Sequence, residues 1–225
     1  MKFEYLIYNL VIIAGPLALS FEKGVHYISR WKYFLPAIVV VLIPFIIWDS
    51  LVTGKHWWFN ENYTLDFRLA GLPLEEWLFF ITVPFACLFV WEIIRAKSRN
   101  PVRLKLSPIQ WLLIAGFIPG IFFLFDGRQY TGITLFALGI TALLDMLLKT
   151  DILLRPRTYL YLAIITAFIL IFNGFLTARP VVLYNNAFQL SFHIFTIPIE
   201  DFGYGYSLIL LNTILYDKFK GVTNE

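Results

Sequence analysis

The long apolar runs of this chain constrain its fold more than any other feature. A helix needs about 20 predominantly apolar residues to cross the hydrocarbon core of a bilayer. Only 15% of the residues are charged, against about 25% in a soluble domain. The sequence therefore predicts an all-α integral membrane protein with about seven transmembrane helices. The predicted spans, with charged residues near their ends, are 4–21, 33–52, 73–94, 108–125, 130–148, 158–176 and 198–217.

The lysines and arginines are distributed unequally between the two sides of these spans. Of the 18 basic residues, 13 fall on one side and 5 on the other. Cytoplasmic loops carry the excess of basic residues, so we expect the N-terminus outside, the C-terminus in the cytoplasm and the chain in the cell (inner) membrane. Because these charges sit in short loops between spans, the net charge of +3 needs no nucleic-acid partner.

The chain repeats itself at a spacing of 125 residues. The segment Pro73-Leu74-Glu75-Glu76-Trp77 corresponds to Pro198-Ile199-Glu200-Asp201-Phe202. Further matches are Arg30 with Arg155, Glu92 with Asp217 and, with a one-residue slip, Asp49 with Asn173.

The repeat predicts a three-part organisation. Residues 1–96 form a first three-helix unit, residues 97–127 a linking helix, and residues 128–225 a second three-helix unit. Three helices leave the chain on the far side of the membrane, and a fourth brings it back. The two units are therefore predicted to be parallel repeats related by an axis along the membrane normal, with both acidic motifs in the same leaflet.

Each acidic motif is predicted to begin a helix, because Pro73 and Pro198 suit its first position. Acids in a first turn can simply favour the helix dipole. Neighbouring helical residues point about 100° apart, so one acid of each pair is expected to face the interior and the other a loop. Burial disfavours the charged form of a carboxyl group, and a neutral carboxylic acid can donate a proton. The candidate catalytic residues are Glu75, Glu76, Glu200 and Asp201, with Asp49 beside them.

Aromatic and amide side chains accompany these acids. Asp49 lies near the outer end of the second span, and Asn173 has the matching place in the other unit. The outer loop around Trp57 and Trp58 could be an interfacial aromatic belt or a cap of π faces that stabilises a cation. The three histidines and the single cysteine do not suggest a metal site. The candidate substrate-binding residues are Trp57, Trp58, Trp77, Asn173, Phe202 and Tyr204.

The paired acidic motifs, the duplication and the linking span together resemble the small membrane-integral lycopene cyclases. That family includes heterodimers of two three-span subunits and single-chain fusions of the two domains. The resemblance covers nearly the whole chain. One departure is Asp201, which stands where the first motif has Glu76, so the two halves need not be functionally equal.

The resemblance implies a lycopene β-cyclase of carotenoid biosynthesis, an isomerase or intramolecular lyase. A carboxylic acid would protonate C2 of an acyclic end group, and the C5–C6 double bond would attack the cation formed at C1. Loss of the C6 proton would give a β-ionone ring, so lycopene would pass through γ-carotene to β-carotene. The expected partners are lycopene in the bilayer and membrane lipid, and no cofactor is expected.

A small-molecule transporter is the alternative, since small sugar transporters share the plan of two three-helix parallel repeats joined by a linking helix. Transporters need a polar path near the bilayer midplane, whereas the acids of this chain cluster at one leaflet. The sequence leaves open the ring type, the number of ends cyclised, the length of the substrate (C40 or C50), the roles of the individual acids and the oligomeric state.

Overall fold

The computed structural model describes residues 2–97 and 107–221. The α-helices are α1 (Glu4–Leu19), α2 (Trp31–Val52), α3 (Leu74–Lys97), α4 (Ser107–Ala115), α5 (Phe117–Phe125), α6 (Gln129–Leu147), α7 (Pro156–Phe168), α8 (Gly174–Ala178) and α9 (Ile199–Phe219). A π-helical turn, Ile169–Asn173, joins α7 to α8. The short strands are β1 (Trp57–Phe59), β2 (Arg68–Leu69), β3 (Leu72–Pro73), β4 (Val182–Tyr184), β5 (His193–Ile194) and β6 (Ile197–Pro198).

The all-α membrane fold predicted from the sequence is confirmed, with helices at all seven predicted spans. By length and composition, five helical segments can cross a membrane: Tyr27–Val52, Leu74–Lys97, Pro108–Phe125, Gln129–Leu147 and Pro156–Ala178. Helix α1 is apolar but has only 16 residues. Helix α9 is long enough, at 21 residues, but carries charged side chains at both ends. The fourth span is interrupted at Gly116. Three of the 13 basic residues on the predicted cytoplasmic side, Arg99, Arg103 and Lys105, lie outside the described residues.

Each acidic motif follows a small β-hairpin. Strands β2 and β3 pair before α3, and β5 and β6 pair before α9, at the same places in the 125-residue repeat. Both hairpins turn through a residue with positive φ, Ala70 at 52° and Phe195 at 56°, as tight hairpin turns require. The hairpins therefore fix where α3 and α9 begin.

The two units meet in a reciprocal way. Strand β1 pairs with β4 in antiparallel register, with Trp57 opposite Tyr184 and Phe59 opposite Val182. Each strand thus pairs with its own counterpart in the repeat. The helices show the same reciprocity. Helix α2 of the first unit packs on α9 of the second, and their counterparts in the repeat, α7 and α3, also pack on each other. The interface between the units therefore has approximate two-fold symmetry.

Charged residues also cross between the units at the end of the bundle opposite the acidic motifs. Arg95 of α3 lies 3.2 Å from Asp217 of α9, and Lys220 lies 2.9 Å from Glu92 of α3. Arg155 of the second unit also pairs with Asp217, at 2.9 Å. The side chain of Asp217 is fully buried. These ion pairs join the ends of α3 and α9 far from the acidic motifs.

Candidate active site

A cavity of about 390 Å³ lies between the two units, and α1, α3, α7 and α9 provide most of its wall. The wall is mainly apolar and aromatic, but three carboxyl side chains reach it: Asp49, Glu76 and Asp201. All three are buried. We call the level of these three residues the acid end of the cavity.

The buried carboxyl groups of Glu76 and Asp49 lie close to each other and interact. Two neighbouring carboxylates repel each other in a buried site, so this arrangement favours one proton on the pair. The Tyr5 hydroxyl donates to Glu76 Oε2 at 2.6 Å, and the Tyr204 hydroxyl, from the other unit, donates to Asp49 Oδ1 at 2.8 Å. The pair is therefore suited to hold a proton in a buried site.

Asp201 has a different environment, because all of its hydrogen-bond partners are donors. It accepts hydrogen bonds from the Tyr130 hydroxyl at 2.6 Å, the Tyr184 hydroxyl at 2.8 Å and the Asn173 amide at 2.7 Å. Burial raises the pKa of Tyr184 well above its usual value, which keeps this phenol a donor. Three donors on one carboxyl group favour its ionised form. The arrangement suits a carboxylate.

The repeat explains both the similarity and the difference between these two clusters. Tyr5 and Tyr130 occupy equivalent positions, and each donates to the second acid of a motif. Asp49 and Asn173 are also counterparts, but one is an acid and the other an amide. The pair of acids on one side of the cavity therefore suits proton release, and the acid with an amide partner on the other side suits a negative charge.

The first acid of each motif lies outside the cavity wall. Glu75 accepts the backbone N–H of Leu65 at 2.7 Å, and Glu200 accepts that of Leu190 at the same distance. Glu200 also accepts the Thr131 hydroxyl at 2.6 Å. These two acids hold the preceding loops against the starts of α3 and α9. Of the four motif acids grouped from the sequence, only Glu76 and Asp201 line the cavity.

The candidate substrate-binding residues divide in the same way. Trp57, Asn173 and Tyr204 line the cavity. The structure does not bring the other three to it: Trp58 is 41% exposed, Trp77 donates its indole N–H to the Leu69 carbonyl, and Phe202 packs outside the cavity wall.

The candidates chosen from the sequence left out four tyrosines that line the cavity: Tyr5, Tyr8, Tyr130 and Tyr184. Tyrosine near a span end is usually assigned to the membrane interface, so these residues gave no signal on their own. The repeat did contain a signal for two of them, because Tyr5 and Tyr130 are 125 residues apart and therefore occupy equivalent positions. Within the described residues, no group of three or more His, Cys, Asp or Glu side chains is arranged to hold a metal ion.

The family model for lycopene cyclases matches residues 3–94 and 127–219, which together exceed half of the chain. The two matched stretches contain the two three-helix units, and the linking span falls between them. No curated protein and no solved structure matches the chain. The family match agrees with the resemblance seen in the acidic motifs, and the chain therefore belongs to the lycopene cyclase family.

Proposed function

We propose that this chain is a lycopene β-cyclase, which converts the acyclic end groups of lycopene to β-ionone rings without net oxidation or reduction. The observation that carries the proposal is the acid end of the cavity, where the neighbouring side chains of Asp49 and Glu76 and the separate side chain of Asp201 meet inside apolar and aromatic walls. Family membership supports a carotenoid cyclase. The mainly apolar wall favours a hydrocarbon substrate over the polar cargo of the transporter alternative.

The first step is proton donation. The Asp49–Glu76 pair donates a proton to C2 of the end group, and a tertiary cation forms at C1. The electrons of the C5–C6 double bond then close the ring by forming the C1–C6 bond, which moves the positive charge to C5. General acid catalysis of this kind contributes about 10²–10⁴-fold to a rate.

The second step is proton removal. Asp201 takes the proton from C6, and the electron pair left behind forms the C5–C6 double bond of the β-ionone ring. Tyr130 and Tyr184, which donate to Asp201, keep it ionised until then. One proton enters and one leaves, so the step needs no redox cofactor and no metal.

The cation between the two steps needs protection from water. Aromatic faces attract cations by about 0.5–2 kcal/mol, and Trp57 and Tyr204 both line this part of the cavity. The buried wall also excludes water that could capture the cation. These features support cyclisation rather than hydration of the end group.

The test is product formation and isotope incorporation. The wild-type chain, expressed in lycopene-accumulating cells, should produce γ-carotene and β-carotene. Membranes incubated with lycopene in D₂O should yield rings carrying one deuterium at C2, because the donated proton exchanges with solvent between turnovers.

A Glu76→Gln variant serves as the control in the same membranes, since the amide cannot donate a proton at useful pH. Rings formed without deuterium would refute acid catalysis. Unchanged lycopene, with the wild-type chain shown to be folded in the membrane, would refute the proposed function.

A further inference from the structure

The cavity continues away from the acid end as a long groove. Its wall on α1 extends from Tyr5 to Leu19, and its wall on α3 extends from Glu76 to Val90. Each pair is fourteen residues apart, about 21 Å along an α-helix. The hydrocarbon core of a bilayer is about 30 Å thick, so the groove follows the helices through roughly two thirds of that depth.

One side of the groove opens onto the surface of the bundle. Val11, Gly15 and Leu19 recur every four residues on one face of α1 and line the groove. They are also exposed, Val11 by 60% and Leu19 by 50%. Residues that both line a cavity and face outward mark an opening in its wall. The end of α7 at Phe168 and the π-helical turn at Ile169 also line the groove, and this turn meets α1 where Phe172 contacts Tyr8, so we place the opening between α1 and α7.

The acid end of the groove is closed on this side. The rings of Tyr8 on α1 and Phe172 in the π-helical turn meet edge to face at 6.0 Å. Both line the cavity, and Phe172 lies next to Asn173, which bonds to Asp201. The opening therefore starts beyond the Tyr8–Phe172 contact, on the side away from the acids. A ligand that enters there must extend along the groove to reach the acids.

The corresponding face in the second unit is covered. Phe136 of α6 stands at the repeat position of Val11, and its ring packs against Phe117 of the linking span at 5.2 Å. A Cβ atom added at Gly120 of α5 would come within 3.0 Å of Phe136, which shows how closely the linking span lies on α6. The linking span thus covers in one unit the face that α1 leaves open in the other.

We propose that this groove is the binding site for the polyene chain of the carotenoid, and that one end of the substrate enters it sideways from the lipid, between α1 and α7. The inference rests on the proposed function, since it takes the substrate to be a long linear hydrocarbon. A volume of about 390 Å³ lies near the lower end of the range of about 300–1,000 Å³ for ligand pockets. It holds one end group and part of the chain, and the rest of the substrate stays in the lipid.

The experiment blocks the opening and leaves the acids intact. A Cβ atom added at Gly15 meets no atom within 4 Å, so Gly15→Phe can be accommodated on the helix and adds a ring at a residue that lines the groove. The matched control is Ala14→Phe, at the neighbouring exposed residue that does not line the groove. Both are made in the catalytically impaired Glu76→Gln protein, and the lycopene that co-purifies with each is measured.

Gly15→Phe should lower the bound lycopene at least about tenfold, equivalent to about 1.4 kcal/mol, while Ala14→Phe leaves it unchanged. Equal retention by the two variants, or equal loss, would overturn the groove proposal. Because the readout is binding, it is independent of whether the unmodified chain forms β-ionone rings.

A second measurement avoids a bulky substitution. Gly15→Cys is made together with Cys87→Ala, because Cys87 also lines the groove. Excess lycopene should slow the reaction of the new thiol with a membrane-permeant maleimide, and a thiol placed at Ala14 should show no such protection. Equal protection at both positions, or at neither, would contradict the proposal.

Discussion

Changing Asp49 to Asn tests the division of labour between the two sides of the cavity. The variant would give Glu76 the same kind of partner that Asp201 has in Asn173, an amide that donates a hydrogen bond. Glu76 would then be surrounded by donors and would hold a negative charge instead of sharing a proton. The cavity would keep its shape but lose its acid.

The expected size of the effect follows from the contacts. The Asn side-chain oxygen can still accept from Tyr204, which now donates at 2.8 Å to Asp49, and its N–H₂ group can donate to Glu76. The number of hydrogen bonds is preserved, so the free energy of unfolding should change by only about 1 kcal/mol. Loss of the general acid should lower the rate by about 10²–10⁴-fold, which is about 2.7–5.4 kcal/mol of activation free energy.

The assay is lycopene consumption per folded protein in membranes, with folded protein quantified separately. Glu75→Gln is the matched control, because Glu75 lies outside the cavity and its contact with the Leu65 N–H survives in the amide. The control should retain wild-type turnover. If Asp49→Asn lowers turnover by less than about threefold, the loss is much smaller than the roughly 10²-fold minimum expected when a general acid is removed. That result would refute the proton-sharing role of Asp49.

Three further outcomes are expected from other parts of the molecule. Asp217→Asn should destabilise the folded protein by about 3–5 kcal/mol, because it leaves buried Arg155 without its ionic partner, and a thermal shift in detergent unchanged from the wild type would contradict this. Single cysteines at Asn62 and Asn186, in a Cys87→Ala background, should both react with an impermeant thiol reagent from outside the cell, whereas labelling only from the cytoplasm would reverse the predicted orientation. In a time course, γ-carotene should accumulate in the lipid before β-carotene, because the groove admits one end group at a time; β-carotene appearing without it would indicate that the substrate is not released between rings.

The helices were predictable because lipid imposes a strong length requirement on apolar runs. Helix α9 is a particular case: it was predicted with the other apolar runs, but it is not among the segments apolar enough to span by composition, and its match to α3 in the repeat supports its assignment. The break at Gly116 and the π-helical turn before Gly174 were not predictable, since both helices read as continuous apolar runs.

The site was predictable as a neighbourhood but not as a set of contacts. The motifs located the acids at the starts of α3 and α9, yet the sequence alone grouped Glu75 and Glu200 with Glu76 and Asp201 as candidate catalytic residues. Which of two adjacent acids faces inward depends on the rotation of the helix about its axis. Both helices are apolar nearly all round, so no polar face fixes that rotation. In the structure the hairpin loops fix it, because Leu65 and Leu190 offer their N–H groups to Glu75 and Glu200.

The pairing of β1 with β4 has a consequence for the ancestry of the chain. Trp58 lies opposite Leu183, its own counterpart in the repeat, so the register is the one that two identical strands form about a two-fold axis. A homodimer of a single three-helix protein would contain this contact unchanged. Gene duplication alone could then have preserved the dimer as two chains, but fusion into one chain required a span that returned the polypeptide across the membrane. After duplication, each half had its own coding sequence, so one position could become an acid, Asp49, and its counterpart an amide, Asn173. A homodimer, in which both subunits share one sequence, does not allow this difference.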